Sequence, residues 1–157
     1  MKNEICSRCI FDGTLPNISF DQDGVCNYCA QIDELAERYP NDERGAIQLQ
    51  EIVDRIKEAG KGNKYDAIIG VSGGCDSSYL MHLMKVKYGL RLLAVHFDNT
   101  WNSTIATENI SAMTEQLNID LYTYVVDAAE FDDIILSFLK AGVRDIDTPT
   151  DIGLATT

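Results

Sequence analysis

The sequence predicts an α/β protein with a doubly wound parallel sheet, preceded by a small zinc-ribbon-like module that four cysteines hold around a metal. Two observations lead to this prediction. After residue 64, short apolar runs alternate with segments of helical periodicity. Before that point, two Cys-x-x-Cys pairs occur close together. A chain of 157 residues, 45% of them hydrophobic, can bury one core and a small satellite module.

The cysteine module has the spacing of a structural zinc site. Each Cys-x-x-Cys pair can bind one metal from a tight turn, and four thiolates complete a closed tetrahedral shell. Turn-forming residues around Asp21–Gly24 predict a short hairpin between the pairs. Two disulfides and an iron–sulfur cluster are the alternatives, and a reducing compartment disfavours the disulfides. The candidate zinc ligands are Cys6, Cys9, Cys26 and Cys29.

We predict three parts in the chain: the zinc module over 1–38, a helical linker over 39–63, and a nucleotide-binding α/β domain over 64–157. Helices are expected at Ala30–Arg38 and Glu43–Ala59. The domain that follows alternates strands and helices, as a parallel sheet requires. The predicted strands are Ala67–Val71, Leu92–Phe97 and Leu121–Val126, and the predicted helices are Ser77–Val86, Ser103–Leu117 and Phe131–Ala141.

The stretch Ser-Gly-Gly-Cys-Asp-Ser-Ser follows the first predicted strand and opens a helix. The adjacent glycines allow a sharp turn and a close backbone approach to a ligand. Free N–H groups, the helix dipole and serine hydroxyls can surround a phosphate or pyrophosphate. The stretch lacks the lysine of a Walker A loop and the spacing of a Rossmann glycine motif. The candidate phosphate-binding residues are Ser72, Gly73, Gly74, Asp76, Ser77 and Ser78.

Two further segments are expected at the carboxyl edge of the predicted sheet, and this is the edge at which ligands bind in open α/β folds. His96, Phe97 and Asp98 lie at the end of the second strand. His96 fits equally well as a buried strand residue bonded in the core, whereas a strand-end carboxylate such as Asp98 is seldom needed for packing. The acidic segment Asp145–Gly153 either faces the same cleft and helps to hold magnesium or substrate, or forms an exposed loop that caps a helix.

Charge and hydropathy exclude several classes of protein. The formal net charge is −12, and no basic stripe offers a surface for nucleic acid phosphates. No apolar stretch is long enough to span a bilayer, and the amino terminus lacks the apolar region of a signal peptide. We therefore expect a cytoplasmic protein that binds neither nucleic acid nor membrane.

Residues 72–78 resemble the SGGxDS signature of the PP-loop ATP pyrophosphatases, enzymes with a HUP-like fold that cleave ATP to AMP and pyrophosphate. The cysteine pairs, the Lys64-Tyr65-Asp66 strand start and the Thr148–Asp151 segment narrow the resemblance to the N-acetyl sugar amidotransferases. Those enzymes are longer, so the resemblance implies the amino-terminal portion of one. With only three predicted strands, we expect a truncated chain or one that a partner completes.

This resemblance implies an ATP-dependent amidotransferase of surface polysaccharide biosynthesis, such as that of lipopolysaccharide. An N-acetyl group of a nucleotide-linked sugar would become an acetamidino group through an adenylylated intermediate. Asp76 and Ser77 would act in catalysis, with ATP and Mg²⁺ as cofactors, and Asp76 either caps the helix or contacts magnesium. His96, Phe97 and Asp98 would frame the adenosine. A separate glutaminase would supply the ammonia.

Two other functions compete with this prediction. Some tRNA-thiolating PP-loop enzymes also carry zinc modules, but they typically need catalytic cysteines later in the cleft. Here Cys75, inside the loop, is the one cysteine outside the zinc set. The other alternative is a module that binds ATP without turnover and that zinc holds together.

Overall fold

A computed structural model describes residues 4–143 and has an α/β architecture with a parallel sheet. The chain divides into two compact units, Met1–Ile52 and Val53–Thr157. The division into three parts that the sequence suggests stays a prediction. The acidic segment Asp145–Gly153 lies outside the described residues.

The first unit begins with turns rather than with regular strands. Isolated antiparallel bridges join Ile5 to Asp12 and Phe20 to Cys26, where the sequence predicts a hairpin. The turn after Phe20 is held by the carboxylate of Asp21, which accepts hydrogen bonds from two backbone N–H groups of the same turn. Side chains thus supply hydrogen bonds that a longer strand ladder would otherwise provide.

Two helices follow the cysteine turns. α1 spans Asn27–Arg38 and starts earlier than the predicted Ala30, because Cys26 is its N-cap residue in extended conformation. α2 spans Glu43–Ala59, as predicted, and runs across the boundary between the two units. The N–H of Arg44 donates to the carboxylate of Asp42 at 2.9 Å, which satisfies a donor at the start of α2.

The second unit contains a three-stranded parallel sheet in the order β1-β2-β3. The strands are β1 at Ala67–Gly70, β2 at Leu92–Asp98 and β3 at Asp120–Val125. Successive side chains of a strand point to opposite faces of the sheet. In β2, Ala94 and His96 are buried on one face and Val95 and Phe97 on the other. β2 is therefore covered on both sides, as a central strand of a parallel α/β sheet is.

Three helices connect and flank these strands. α3 spans Cys75–His82 and continues as a π-helical turn, Leu83–Lys87. α4 spans Thr104–Leu117 and α5 spans Ala128–Lys140. The side chains of Ser103 and Asp127 cap α4 and α5 by accepting backbone N–H bonds. Within residues 4–143, none of the helices has the length and apolar character that crossing a membrane requires.

An aromatic cluster and an ion pair fix the sheet. Phe97 of β2 packs with Phe131 and Ile135 of α5 in one buried cluster. Just before β1, the Asp66 carboxylate accepts hydrogen bonds from the backbone N–H and the guanidinium of Arg91. Arg91 also donates to backbone carbonyls of the turn after α2, so one side chain ties that turn to the start of β1.

Candidate phosphate-binding loop and metal site

The candidate phosphate loop leaves β1 and enters α3 directly. Gly74 is the N-cap of α3 and has no side chain to cap the helix, so the first N–H groups of α3 are left to other acceptors. The helix starts at Cys75, two positions before the predicted Ser77. Asp76 is therefore not the capping residue, and its exposed side chain lies in the first helical turn. An anion at this end would also benefit from the helix dipole.

Two serine hydroxyls of the loop lie close together. Ser72 Oγ and Ser77 Oγ lie 3.2 Å apart, and the backbone N–H of Ser72 donates to Ser77 Oγ at 3.3 Å. Ser77 Oγ in turn donates to the carbonyl of Gly74 at 3.3 Å. Ser77 thus connects the strand side of the loop with its helix side. Hydroxyl groups can donate or accept, so the same groups can turn to an anion.

The loop lies directly against α4. Gly73 is buried and has φ +72°, a backbone conformation that favours glycine. A Cβ atom on Gly73 would lie 2.2 Å from the backbone oxygen of Ala106, a distance that packing cannot accommodate. The side-chain amide of Asn109 donates to the carbonyl of Gly73 at 3.0 Å. α4 therefore fixes the position of the first glycine through its own backbone and one side chain.

A hydrogen-bonded network organises the carboxyl end of β2. Nδ1 of the buried His96 ring lies 3.0 Å from the carbonyl oxygen of Val71. Because a carbonyl oxygen can only accept a hydrogen bond, Nδ1 carries the proton. Nε2 then accepts from the amide of Asn102 at 3.3 Å, and the same amide donates to Asp98 at 2.8 Å. Asp98 also accepts the N–H of Thr100, which has a positive φ. His96 and Asp98 thus link the ends of β1 and β2.

Ser72 of the loop and the β2 network border one cavity of about 400 Å³. Ser72, His96 and Phe97, three of the predicted site residues, line it together with Asn99 and Asn102. The two strand ends therefore meet at one cleft. Whether these residues contact adenosine stays a prediction.

Two residues of the candidate site are not indicated by the sequence. Asn102 joins His96 to Asp98, and Asn109 reaches the loop from the middle of α4. An asparagine just after a strand end is a recognisable turn signal. Asn109 has no such local signal, because its partner is far away along the chain.

The four predicted metal ligands form one cluster in the first unit. The sulfur atoms of Cys6, Cys9, Cys26 and Cys29 all lie within 4.8 Å of one another. The Cys6–Cys29 and Cys9–Cys26 sulfur distances are 3.9 and 3.7 Å. A zinc–sulfur bond of about 2.3 Å gives a tetrahedron with edges of about 3.8 Å, whereas a disulfide bond measures about 2.0 Å. The cluster thus fits a tetrahedral metal ion, and all four cysteines are free.

Backbone groups around the cluster support bound thiolates. The N–H groups of Arg8 and Cys26 point at Cys6 Sγ at 3.4 and 3.3 Å. Burial raises the pKa of the Cys6 thiol, but hydrogen bonds from Arg8, Cys26 and Cys9 together lower it to about 6. Burial and then the neighbouring thiols raise the pKa of Cys29 to about 12. Thiolates packed this closely repel one another, and a divalent cation at their centre would offset that repulsion.

Comparisons with known proteins give partial similarities. No family model matches the chain. An uncharacterised protein of Methanocaldococcus jannaschii is 30% identical over 138 residues, which are 87% of this chain and 47% of that protein. The chain therefore spans about half the length of the curated relative that it matches.

Two solved structures overlap with part of the chain. NMN synthetase from Francisella tularensis shares 26% identity at a TM-score of 0.43, over 58% of this chain and 38% of that one. An NH3-dependent NAD synthetase from Campylobacter jejuni shares 21% identity at a TM-score of 0.39, over 59% of this chain and 38% of that one. Both overlaps cover less than two thirds of this chain, and both TM-scores are below 0.5. The function proposed for the chain therefore rests on the residues of the loop and the cleft.

Proposed function

We propose that this chain carries the ATP-binding part of a PP-loop ATP pyrophosphatase, a ligase that activates a carbonyl oxygen as an adenylate and releases pyrophosphate. The observation that carries the proposal is the loop from Ser72 to Ser78. Gly73 is packed against α4, the hydroxyls of Ser72 and Ser77 lie 3.2 Å apart, and Ser72 borders the strand-end cavity. A triphosphate in the loop would leave the adenosine facing that cavity.

The chemistry follows from where negative charge grows. Attack on the α-phosphate transfers charge to the departing pyrophosphate, so fixed donors placed there lower the barrier. The backbone N–H groups at the start of α3 and the hydroxyls of Ser72, Ser77 and Ser78 are such donors. Magnesium bound with ATP would neutralise part of the phosphate charge, and in this proposal the exposed carboxylate of Asp76 contacts it.

The finer proposal concerns the acceptor. The acetamido oxygen of a nucleotide-linked sugar attacks the α-phosphate of ATP, and pyrophosphate leaves. Ammonia then adds to the activated carbon, AMP leaves, and an acetamidino group remains. The loop motif, Lys64-Tyr65-Asp66 and the cysteine pairs support this acceptor by resemblance. We propose that a glutaminase partner supplies the ammonia and that the reaction takes place in the cytoplasm.

The zinc module serves structure in this proposal. Bound by all four sulfurs, a zinc ion would have a closed tetrahedral shell with no position for a substrate or a water. The energy of metal binding stabilises turns that have little regular secondary structure of their own.

The decisive experiment combines binding with product analysis on the full chain. Calorimetry with Mg·ATP should detect binding, and Ser77→Ala should weaken it about tenfold, because a charge-assisted hydrogen bond is lost. Ser111→Ala, on the exposed side of α4, should bind as the parent does. With ammonium and an N-acetylated nucleotide sugar, pyrophosphate should be released and the sugar should exchange an oxygen atom for an NH group.

Three results would contradict the proposal in different ways. Absence of heat with Mg·ATP in the parent chain would remove the ATP site altogether. In the complete protein, binding of Mg·ATP without pyrophosphate release for every sugar tested would favour the non-catalytic module. Thiolated tRNA as the product would favour the sulfur-transfer alternative.

A further inference from the structure

We propose that Asn109 is a positioning residue for the phosphates of ATP, acting through the peptide between Gly73 and Gly74. This inference rests on the proposed function. Asn109 does not touch the phosphates. Its side-chain amide holds the Gly73 carbonyl and thereby aims the Gly74 N–H to the opposite side of the loop.

The contact itself is well defined. Asn109 Nδ2 lies 3.0 Å from the carbonyl oxygen of Gly73. Because a carbonyl oxygen has no proton to donate, the amide nitrogen and not the amide oxygen must face it. Gly73 also packs closely against the same helix, since a Cβ on it would lie 2.2 Å from the backbone oxygen of Ala106. Two neighbouring positions of α4 therefore hold this part of the loop.

The geometry of the peptide bond transmits this contact to Gly74. No cis peptide bond occurs between residues 4 and 143, and in a trans peptide the C=O and N–H bonds point in opposite directions. With the Gly73 carbonyl turned to Asn109, the Gly74 N–H points away from α4. It then joins the first N–H groups of α3, of which Gly74 is the N-cap.

The alternative orientation would oppose phosphate binding. Glycine residues populate positive and negative φ with similar ease, so a Gly-Gly peptide without a partner can rotate at low cost. A rotated peptide would present the carbonyl oxygen to the phosphates, which repel it, in place of the N–H. Asn109 keeps the attractive orientation before the nucleotide arrives, and such preorganisation gives affinity.

The stability of helix α4 does not itself favour asparagine at position 109. Asn109 lies in the middle of α4, where alanine forms helix more readily than asparagine does. Asn109→Ala gains helix propensity but loses one hydrogen bond to Gly73, two effects of similar size, so the unfolding midpoint should stay close to that of the parent. A loss of affinity in this variant would be a property of the loop and not of a weakened fold.

The test compares ligands with and without phosphates. We would titrate the full chain and Asn109→Ala with Mg·ATP, with inorganic pyrophosphate and with adenosine, using Gln116→Ala as a control two turns further along α4. In Asn109→Ala, we expect about tenfold weaker binding of Mg·ATP and of pyrophosphate, with adenosine unchanged. Asn109→Asp, similar in shape but without the N–H donor, should weaken both at least as much. Gln116→Ala should match the parent.

The outcomes separate this inference from the proposed function. Equal Mg·ATP affinity in the parent and Asn109→Ala would overturn the positioning role while leaving the ATP site intact. An equal loss for adenosine would also overturn it, because the effect would then not be confined to the phosphates. Absence of Mg·ATP binding in the parent would overturn both. In the free protein, the Gly74 amide resonance should shift in Asn109→Ala and stay in place in Gln116→Ala.

Discussion

Gly73 must be glycine for two independent reasons. Its φ of +72° is a conformation that side chains disfavour, and its Cα faces the backbone of Ala106 with no room for a Cβ. The second reason is the stronger one, because a backbone oxygen cannot rotate away as a side chain can. Sequence alone indicates a tight turn here, but it does not reveal the contact with α4.

Gly73→Ala should be much more destabilising than a matched change at Gly89. Gly89 has φ +66° and open space around it, so Gly89→Ala should cost only the backbone strain, about 1 kcal/mol. Gly73→Ala adds the clash with α4 and should cost about 3 kcal/mol or more. Urea unfolding of both variants measures the difference. Equal losses would show that the loop is free to move off α4.

Cys26 should be required for metal, and Cys75 should not. Cys26 is buried in the sulfur cluster, whereas Cys75 is exposed in the phosphate loop. We expect one zinc ion per chain in the parent and in Cys75→Ser, and much less in Cys26→Ser. Elemental analysis after dialysis measures the metal content. Equal zinc in both variants would contradict the four-sulfur site.

At the scale of elements, the turn between α2 and β1 depends on one ion pair. The Asp66 side chain is only 6% exposed, and Arg91 links it to the carbonyls of the preceding turn. The hydrogen bonds from the Arg91 side chain and backbone hold the pKa of Asp66 below its ordinary value of 3.8. The carboxylate therefore favours the folded state wherever it is ionised.

This pair should make stability depend on pH in the acid range. Because the folded pKa of Asp66 is depressed, its contribution is complete above the ordinary value and is lost as the pH falls through the lower, folded value. Asp66→Asn should lose about 2 kcal/mol at neutral pH and should show a flatter acid profile than the parent. Asp132→Asn, on the exposed side of α5, is the control. Parallel acid profiles for the parent and Asp66→Asn would contradict this role.

Most elements could be predicted from periodicity, and the differences have local causes. α1 and α3 start earlier than predicted because Cys26 and Gly74, and not polar capping residues, are their N-caps. The predicted hairpin is reduced to isolated bridges, since side chains such as Asp21 hold the turns. Periodicity identifies a buried helical face well, whereas the residue at which a helix begins depends on its flanking backbone.

At the scale of the whole molecule, the two units should respond differently to metal removal. The first unit has little regular structure around its cysteines, whereas the second is organised around the doubly covered strand β2. Chelation of zinc should speed amide exchange in α1 and leave β2 protected, because metal binding and folding are coupled only where the ligands lie. Hydrogen exchange with mass spectrometry resolves the two. Equal loss of protection in β2 would contradict separate stabilisation.

The charge of the whole chain also leads to a prediction. A net charge of −12 should prevent tight binding of tRNA at moderate salt, because few phosphate contacts could release counterions. A gel shift with bulk tRNA should show no complex, with Mg·ATP calorimetry on the same sample as evidence of folded protein. A complex that weakens steeply with salt would instead indicate a local basic patch.

The parts of the site that sequence could predict are those encoded in one stretch. The loop from Ser72 to Ser78 and the cysteine pairs each have a local signature. In the strand-end network, the sequence indicates His96 and Asp98 but not Asn102, which joins them. The sequence does not indicate Asn109, because its contact with Gly73 spans two elements. Contacts of this kind depend on the packing of the chain and leave no trace in its periodicity.

The close packing of Gly73 against α4 has a consequence for screening libraries of variants of this chain. In a library screened for folded protein without any nucleotide, glycine should persist at position 73, because the neighbouring helix alone excludes other side chains. Ser78 is partly exposed and lines an open cavity, so such a screen should accept replacements there. Positions that accept replacements in a screen for folded protein but not in a screen for turnover would then identify the residues that act in the reaction. Invariance of position 73 in both screens would instead reflect the packing of the fold.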